Sequence, residues 1–167
     1  MIKYIEHYPE EVKNKVKLMI EKNSLKNYLL INYSEPHNFT NNKLLYKYVI
    51  NLKNRYMKRS IPLSSVSYDD KIETAYQALG VNIFHSKVHG KKLKSKNSIK
   101  ISTFFKHVPE SFLQMIAVHE LAHFKEKDHN KQFYNLCKYM KDDYFQVEFD
   151  TRLYMIYLDM GGKEIWV

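Results

Sequence analysis

The amino-acid sequence predicts an α+β protein built as a single domain over residues 1–167, and three observations support this. Helix-like apolar patterns fill residues 1–58, strand-like segments follow, and helix-like patterns return after Pro109. Hydrophobic residues make up 44% of the chain and aromatic residues 14%, which is enough apolar surface for a packed core. Glycine and proline number only four each, so the chain offers few linkers or domain boundaries.

The N-terminal part contains three predicted helices. Pro9 suits the first turn of a helix over residues 10–22, and residues 25–33 form a second, shorter candidate. Thr40 is the expected N-cap of the third. That helix is indicated by apolar residues that repeat at helical spacing, namely Leu44, Leu45, Tyr48, Val49 and Leu52.

The middle of the chain has strand-like composition at residues 64–68, 82–88 and 98–104. Gly90 indicates a turn between two of these segments, and residues 74–80 fit a helix or a strand equally well. We expect a small, mainly antiparallel sheet.

Helical patterns return at residues 109–125, 130–141 and 147–159. Pro109 suits the first turn of the first helix, and Glu110 complements the positive end of its dipole. A helix that is apolar on most sides is a buried one. The sequence therefore predicts burial of a run without glycine or proline, including Phe112, Met115, Ile116, Ala117, Val118, Leu121 and Ala122.

The motif that carries chemistry is HELAHFKEKDH at residues 119–129. His119 and His123 lie four residues apart, so a helix projects both imidazoles from one face, where they can share one zinc ion. Glu120 is offset by roughly 100° around such a helix, given about 3.6 residues per turn. It is therefore placed to accept a proton from a zinc-bound water as a general base.

Catalytic zinc has three protein ligands, so a third is needed. His129 follows His123 with five residues between them, a spacing that can return a side chain to the metal after the helix ends. Asp128 or Asn130 is the expected cap of the next helix. We favour His129 as the third ligand, and the alternative is Glu148.

Other polar residues are assigned less directly. Glu148 and Asp150 are the carboxylates best placed to accept hydrogen bonds from the ligating imidazoles. Alternatively, they pair with Arg152 at the surface. Phe133 is expected to share a helix face with His129 and to form the floor of the site. The histidines at positions 7, 37, 85 and 89 are interpreted as surface or loop residues.

The stretch HELAHFKEKDHNKQFY resembles the signature of the YgjP-like metal-dependent hydrolases, relatives of the SprT-like and Wss-type metalloproteases. That signature is H-E-L-x-H, five residues, His, three residues and Phe. The chain matches it with His119, Glu120, Leu121, His123, His129 and Phe133. The resemblance extends over residues 60–160, which it implies to be the catalytic core of a zincin-like fold, with zinc on the three histidines and Glu120 catalytic.

The predicted function is hydrolysis of peptide bonds by a zinc metallopeptidase, with a zinc-activated water and Glu120 as general base. Two alternatives stay open. Zinc and a glutamate do not determine the scissile group, so a non-peptide amide is a possible substrate. The chain can also be interpreted as a nucleic-acid-associated module that binds zinc.

Charge and composition limit the kinds of partner that we expect for this chain. The net charge is +9, and residues 87–100 hold six lysines, from Lys87 to Lys100, and no acid. This basic segment is either a solvated loop or a contact for nucleic acid or an acidic polypeptide. The N-terminus lacks a signal-peptide pattern, no apolar run is long enough to span a bilayer, and Cys137 has no partner for a disulfide. We therefore expect a cytoplasmic protein without membrane contact.

Overall fold

The computed structural model describes residues 2–71 and 97–167. Short 3-10 helices lie at Lys3–Ile5 and Thr103–His107. The described residues contain α-helices near both ends of the chain and a small sheet between them, which confirms the α+β class. The helices are α1 (Glu10–Glu21), α2 (Leu25–Asn32), α3 (Asn42–Tyr56), α4 (Glu110–Ala122), α5 (Lys131–Met140) and α6 (Tyr144–Asp159).

The described sheet consists of β1 (Ser65–Asp69) and β2 (Ser98–Ser102), which run parallel. Val66 is opposite Ile99 in the register. The prediction of a mainly antiparallel sheet is therefore wrong for this pair. Parallel strands need a connection of about a dozen residues or more, and residues 70–97 supply one. Strand-like composition does not encode strand direction, so the sequence pattern did not reveal this.

Several element ends differ from the prediction: the helix predicted at 109–125 ends at Ala122, and the helix predicted at 147–159 begins at Tyr144. Local hydrogen bonds accompany two further differences. Asn41, and not Thr40, caps α3, because its side-chain oxygen accepts a hydrogen bond from the Leu44 N–H at 2.9 Å. The strand expected to reach Phe104 ends at Ser102, whose hydroxyl accepts a hydrogen bond from the Phe104 N–H at 3.2 Å. This local bond accompanies the change from extended backbone to a 3-10 helix.

The core is centred on α4, which contacts β2, α3, α5 and α6. Its predicted burial is confirmed, and each fully buried Leu or Phe side chain contributes about 1.5–3 kcal/mol relative to an exposed one. Because the helix is packed on most sides, its C-terminal end has a fixed position. The buried apolar residues of α4 are Phe112, Leu113, Met115, Ile116, Ala117, Val118, Leu121 and Ala122.

The basic segment predicted at residues 87–100 lies mostly outside the described residues, as does the strand predicted at 82–88. Lys100 is described, and its Nζ lies 3.6 Å from the Asp69 carboxylate. A nucleic-acid contact by this segment stays a prediction. Of the helices that the structure describes, none combines the length and apolar character needed to cross a bilayer.

Candidate metal centre

Three histidines meet at the C-terminal end of α4. His119 lies in the last turn, His123 is the C-cap, and His129 precedes α5. The His123 Nε2 lies 3.3 Å from the His119 Nε2 and 3.0 Å from the His129 Nε2. Within residues 2–71 and 97–167, these are the residues whose ligand atoms cluster closely enough for a metal ion. The structure thus brings together the three side chains that the motif indicated.

The geometry of the cluster fits a divalent cation. Two nitrogens, each about 2.05 Å from a tetrahedral ion, lie about 3.3 Å apart, close to the observed separations. The Nδ1 of His123 is 3.0 Å from the Glu126 carbonyl oxygen, and only an N–H can donate to that oxygen. In the neutral ring the lone pair is therefore on Nε2, which faces the other two histidines.

The turn after α4 places the third histidine. The Asn130 side chain accepts a hydrogen bond from the Phe133 N–H at 2.9 Å and caps α5, so of the two predicted caps it is Asn130 and not Asp128. His129 precedes this cap, so the prediction that it shares a helix face with Phe133 is wrong. Phe133 is nevertheless fully buried, and its ring centroid lies 4.9, 4.8 and 4.6 Å from those of His119, His129 and His123. It forms an apolar floor beneath the cluster.

His119 is the most buried of the three histidines, with 2% of its surface exposed. Its Nδ1 lies 2.8 Å from the hydroxyl of Tyr144, a buried residue in the first turn of α6. Burial, reinforced by His123 and His129, lowers the pKa of His119 well below its usual value, so the ring stays neutral. With Nδ1–H donating to Tyr144, the Nε2 lone pair points into the cluster.

Sequence reasoning missed the role of Tyr144. It selected the correct helix but expected Glu148 or Asp150 to orient the imidazoles. A signal was present, since Tyr144 precedes Glu148 by one helical turn and shares its face of α6.

Glu148 lies outside the histidine cluster and pairs with Arg152. Its Oε1 accepts hydrogen bonds from the Arg152 Nη2 at 2.7 Å and Nε at 3.0 Å, while the Arg152 Nη1 donates to the Tyr4 carbonyl at 2.9 Å. We predicted, as an alternative, that Glu148 or Asp150 pairs with Arg152 at the surface. The Glu148–Arg152 pair does form, but it is buried. The structure gives no support for Glu148 as the third ligand.

Asp150 also makes its hydrogen bonds away from the histidine cluster. Its carboxylate accepts hydrogen bonds from Tyr28 at 3.0 Å, Tyr33 at 2.5 Å and Gln146 at 3.1 Å. These bonds connect α2 to α6, so Asp150 has a structural role and does not orient the histidines.

Glu120 lies in the last turn of α4, next to His119 in sequence. The residue keeps partial solvent access, yet desolvation of its carboxyl raises the pKa to about 8. An ionised carboxylate in such surroundings is a stronger base than a solvated one, and a cation held by the histidines would favour the ionised form that a general base needs.

Comparison with known proteins identifies the family. A family model described as "YgjP-like, metallopeptidase domain" matches residues 7–149. The chain belongs to the YgjP-like family. It is also 43% identical over 162 residues to a protein of Escherichia coli (strain K12) named UTP pyrophosphatase, and the match covers 97% of each chain. No solved structure matches the chain.

Membership in the YgjP-like family, together with the histidine cluster, indicates a metal-dependent hydrolase. The two comparisons differ on the bond that is cleaved. The description of the family model names a metallopeptidase domain, whereas the name of the Escherichia coli relative refers to the hydrolysis of UTP.

Proposed function

We propose that this YgjP-like chain is a metal-dependent pyrophosphatase that converts UTP and water to UMP and pyrophosphate. The observation that carries the proposal is the identity of 43% to a UTP pyrophosphatase along 97% of both chains. A match of this extent includes the whole histidine motif and the helices that hold it. The net charge of +9 also favours a polyanionic substrate over a neutral one.

The roles of the residues follow from their positions. His119, His123 and His129 would hold the cation through their Nε2 atoms, and Tyr144 and the Glu126 carbonyl would keep two of the rings in the correct tautomer. When bound, a divalent cation supplies a Lewis acid that polarises a phosphoryl oxygen and lowers the pKa of a coordinated water.

Glu120 would take the proton of the attacking water. The water oxygen forms a bond to phosphorus, the phosphoanhydride bond between the α- and β-phosphates breaks, and its electron pair leaves with pyrophosphate. Glu120 as a residue keeps partial solvent access beside the buried His119, which is consistent with a water that reaches the site from solvent.

We propose zinc as the cation. The three candidate ligands are all imidazoles, which suit zinc, copper, iron and nickel, and a carboxylate-rich set that would favour magnesium or calcium is absent from the cluster that the structure describes. Metal analysis of the purified chain tests this, and a preparation without bound zinc that is fully active with another cation would contradict it.

The test of the activity is release of pyrophosphate from UTP by the metal-loaded chain, with CTP, ATP and UDP as comparison substrates. We expect UTP to be hydrolysed to UMP and a chelator to stop the reaction. An absence of pyrophosphate release from UTP at any metal loading would reject the proposal.

A second candidate function is peptide hydrolysis, favoured by the peptidase description of the family model and by the H-E-x-x-H arrangement on α4. A peptide-library assay on the same preparation, with and without DNA, separates the candidates. Peptide cleavage that is blocked by chelator, in a chain inert towards UTP, would establish the second candidate in place of the first.

A further inference from the structure

A basic cavity includes Lys125, which is two residues from the candidate metal ligand His123. It has a volume of about 330 Å³ and is lined by residues 55–60 and Lys125. Of these residues, Arg55, Lys58, Arg59 and Lys125 are cationic, and none is acidic. The cavity therefore concentrates positive charge around a space large enough for a chain of phosphate groups.

The four cations have no anionic partner among the described residues. None of them forms an ion pair with a carboxylate there, although other lysines of the chain do so, for example Lys13 and Lys15. Arg55 instead makes a cation–π contact, in which its guanidinium lies 5.2 Å from the centroid of the Tyr56 ring. Like charges held close together repel each other, so a bound anion would stabilise this arrangement.

The backbone at Lys58 and Arg59 is fixed by hydrogen bonds of a tight turn. The Ser60 N–H and hydroxyl both bond the Met57 carbonyl, at 3.0 and 2.8 Å, and close a tight turn. Lys58 and Arg59 are the two central residues of this turn. Their backbone positions are thus determined by the fold, while their long side chains remain exposed.

One turn connects the cavity to the metal centre. The N–H groups of Lys125 and Glu126 donate to the Ala122 carbonyl at 3.1 and 3.0 Å. The Glu126 carbonyl accepts the hydrogen bond of the His123 Nδ1–H. Lys125 is two residues from His123, so their Cα atoms are at most about 7.6 Å apart, given about 3.8 Å per residue.

We propose that this cavity binds the β- and γ-phosphates of a nucleoside triphosphate whose α-phosphorus is at the metal centre. This inference rests on the proposed function and adds a binding site to it. Arg55 and Arg59 present planar forks that match phosphate oxygens, and the two lysines supply compact charges. The pyrophosphate released by the reaction would then occupy the cavity as the leaving product.

The test compares charge-neutralising variants of the metal-loaded chain. Lys125→Gln and the double variant Lys58→Gln/Arg59→Gln remove cavity charges, and Lys127→Gln removes an exposed lysine nearby that does not line the cavity. Titration calorimetry with inorganic pyrophosphate gives the dissociation constant, and metal content is measured after each titration. Because the control carries the same metal centre, any chelation by pyrophosphate affects all variants alike.

We expect the dissociation constant to rise about tenfold in both cavity variants and to stay within about twofold in Lys127→Gln. The KM for UTP should rise in parallel. Equal pyrophosphate affinity in the cavity variants and in Lys127→Gln would overturn the inference. If the cavity variants lose pyrophosphate affinity but the unaltered chain does not hydrolyse UTP, the cavity stands as a polyphosphate site and the proposed function is the part that fails.

Discussion

The Tyr144 hydroxyl lies 2.8 Å from the His119 Nδ1, across 25 residues of sequence. A buried neutral hydroxyl, and not a carboxylate, thus orients the most buried of the clustered histidines. Burial raises the pKa of Tyr144 well above its usual value, so the hydroxyl remains protonated and adds no negative charge near the cluster.

Tyr144→Phe tests this contact. We expect the dissociation constant of the bound cation to rise about tenfold, because the His119 ring loses the partner that sets its tautomer. The measurement is competition with a chromophoric chelator. Tyr154→Phe is the matched control, since Tyr154 is buried on the same helix but packs against Phe112 and Trp166. Equal cation affinity in both variants would assign Tyr144 a packing role alone.

Glu148→Gln tests whether Glu148 is structural. The substitution leaves the Arg152 guanidinium buried without its ion pair, which should lower the free energy of unfolding by about 3 kcal/mol, as measured with urea. Cation content should be unchanged, because Glu148 lies outside the cluster. Glu11→Gln is the comparison, since its pair with Lys15 is exposed and should contribute nothing measurable. A Glu148→Gln protein of normal stability that lacks the cation would instead make Glu148 a ligand.

His37→Gln tests a buried histidine that sequence reasoning interpreted as a surface or loop residue. His37 is 6% exposed, its Nε2–H donates to the Phe105 carbonyl at 2.7 Å, and its Nδ1 accepts from the Phe39 N–H at 3.0 Å. A second ring proton would point at that N–H. Burial is the main reason that the pKa of His37 lies below 6.5, because it disfavours the charged ring. The Phe39 N–H that faces Nδ1 disfavours the charged ring as well.

The sign of the pH effect follows from that shift. Below pH 6.5 the unfolded chain binds a proton at His37 that the folded chain does not bind, so stability is lost as the pH falls. Unfolding with urea between about pH 7 and pH 5 should therefore show a steeper loss in the unaltered chain than in His37→Gln. Parallel pH profiles for the two proteins would contradict a neutral, buried His37.

The sequence contained much of the candidate site because its signals are local. His119 and His123 are one helical turn apart, and His129 is six residues further on, so spacing predicted that the first two rings meet and favoured His129 over Glu148 as the third ligand. The buried body of α4 was predictable from its unbroken apolar run. These inferences need no knowledge of how distant segments pack.

What the sequence did not reveal depends on distant contacts. Tyr144 reaches His119 only because α6 packs against α4, and His37 is buried only because the chain passes the Phe105 carbonyl. The parallel pairing of Val66 with Ile99 depends on how the chain crosses between the strands. The basic cavity joins the turn after α3 to Lys125, and each half alone looks like an ordinary solvated surface.

Glu120→Gln separates catalysis from metal binding. The amide keeps the size of the side chain but cannot accept the water proton, so hydrolysis should fall by at least about 100-fold while the cation content stays the same. Initial rates of pyrophosphate release and elemental analysis give the two values. Glu110→Gln, at the opposite end of α4, is the matched control for a lost carboxylate.

His129→Ala should instead weaken cation binding, and the loss of activity should follow from the loss of the cation. Removing one of three imidazoles weakens cation binding, so activity should be low at limiting metal and should partly return when the cation is added in excess. No excess of cation should restore Glu120→Gln, because its defect lies in proton transfer. If added metal restored both variants equally, Glu120 would be acting through the cation. It would then have to be counted among the ligands, and the general base would have to be sought elsewhere in the chain.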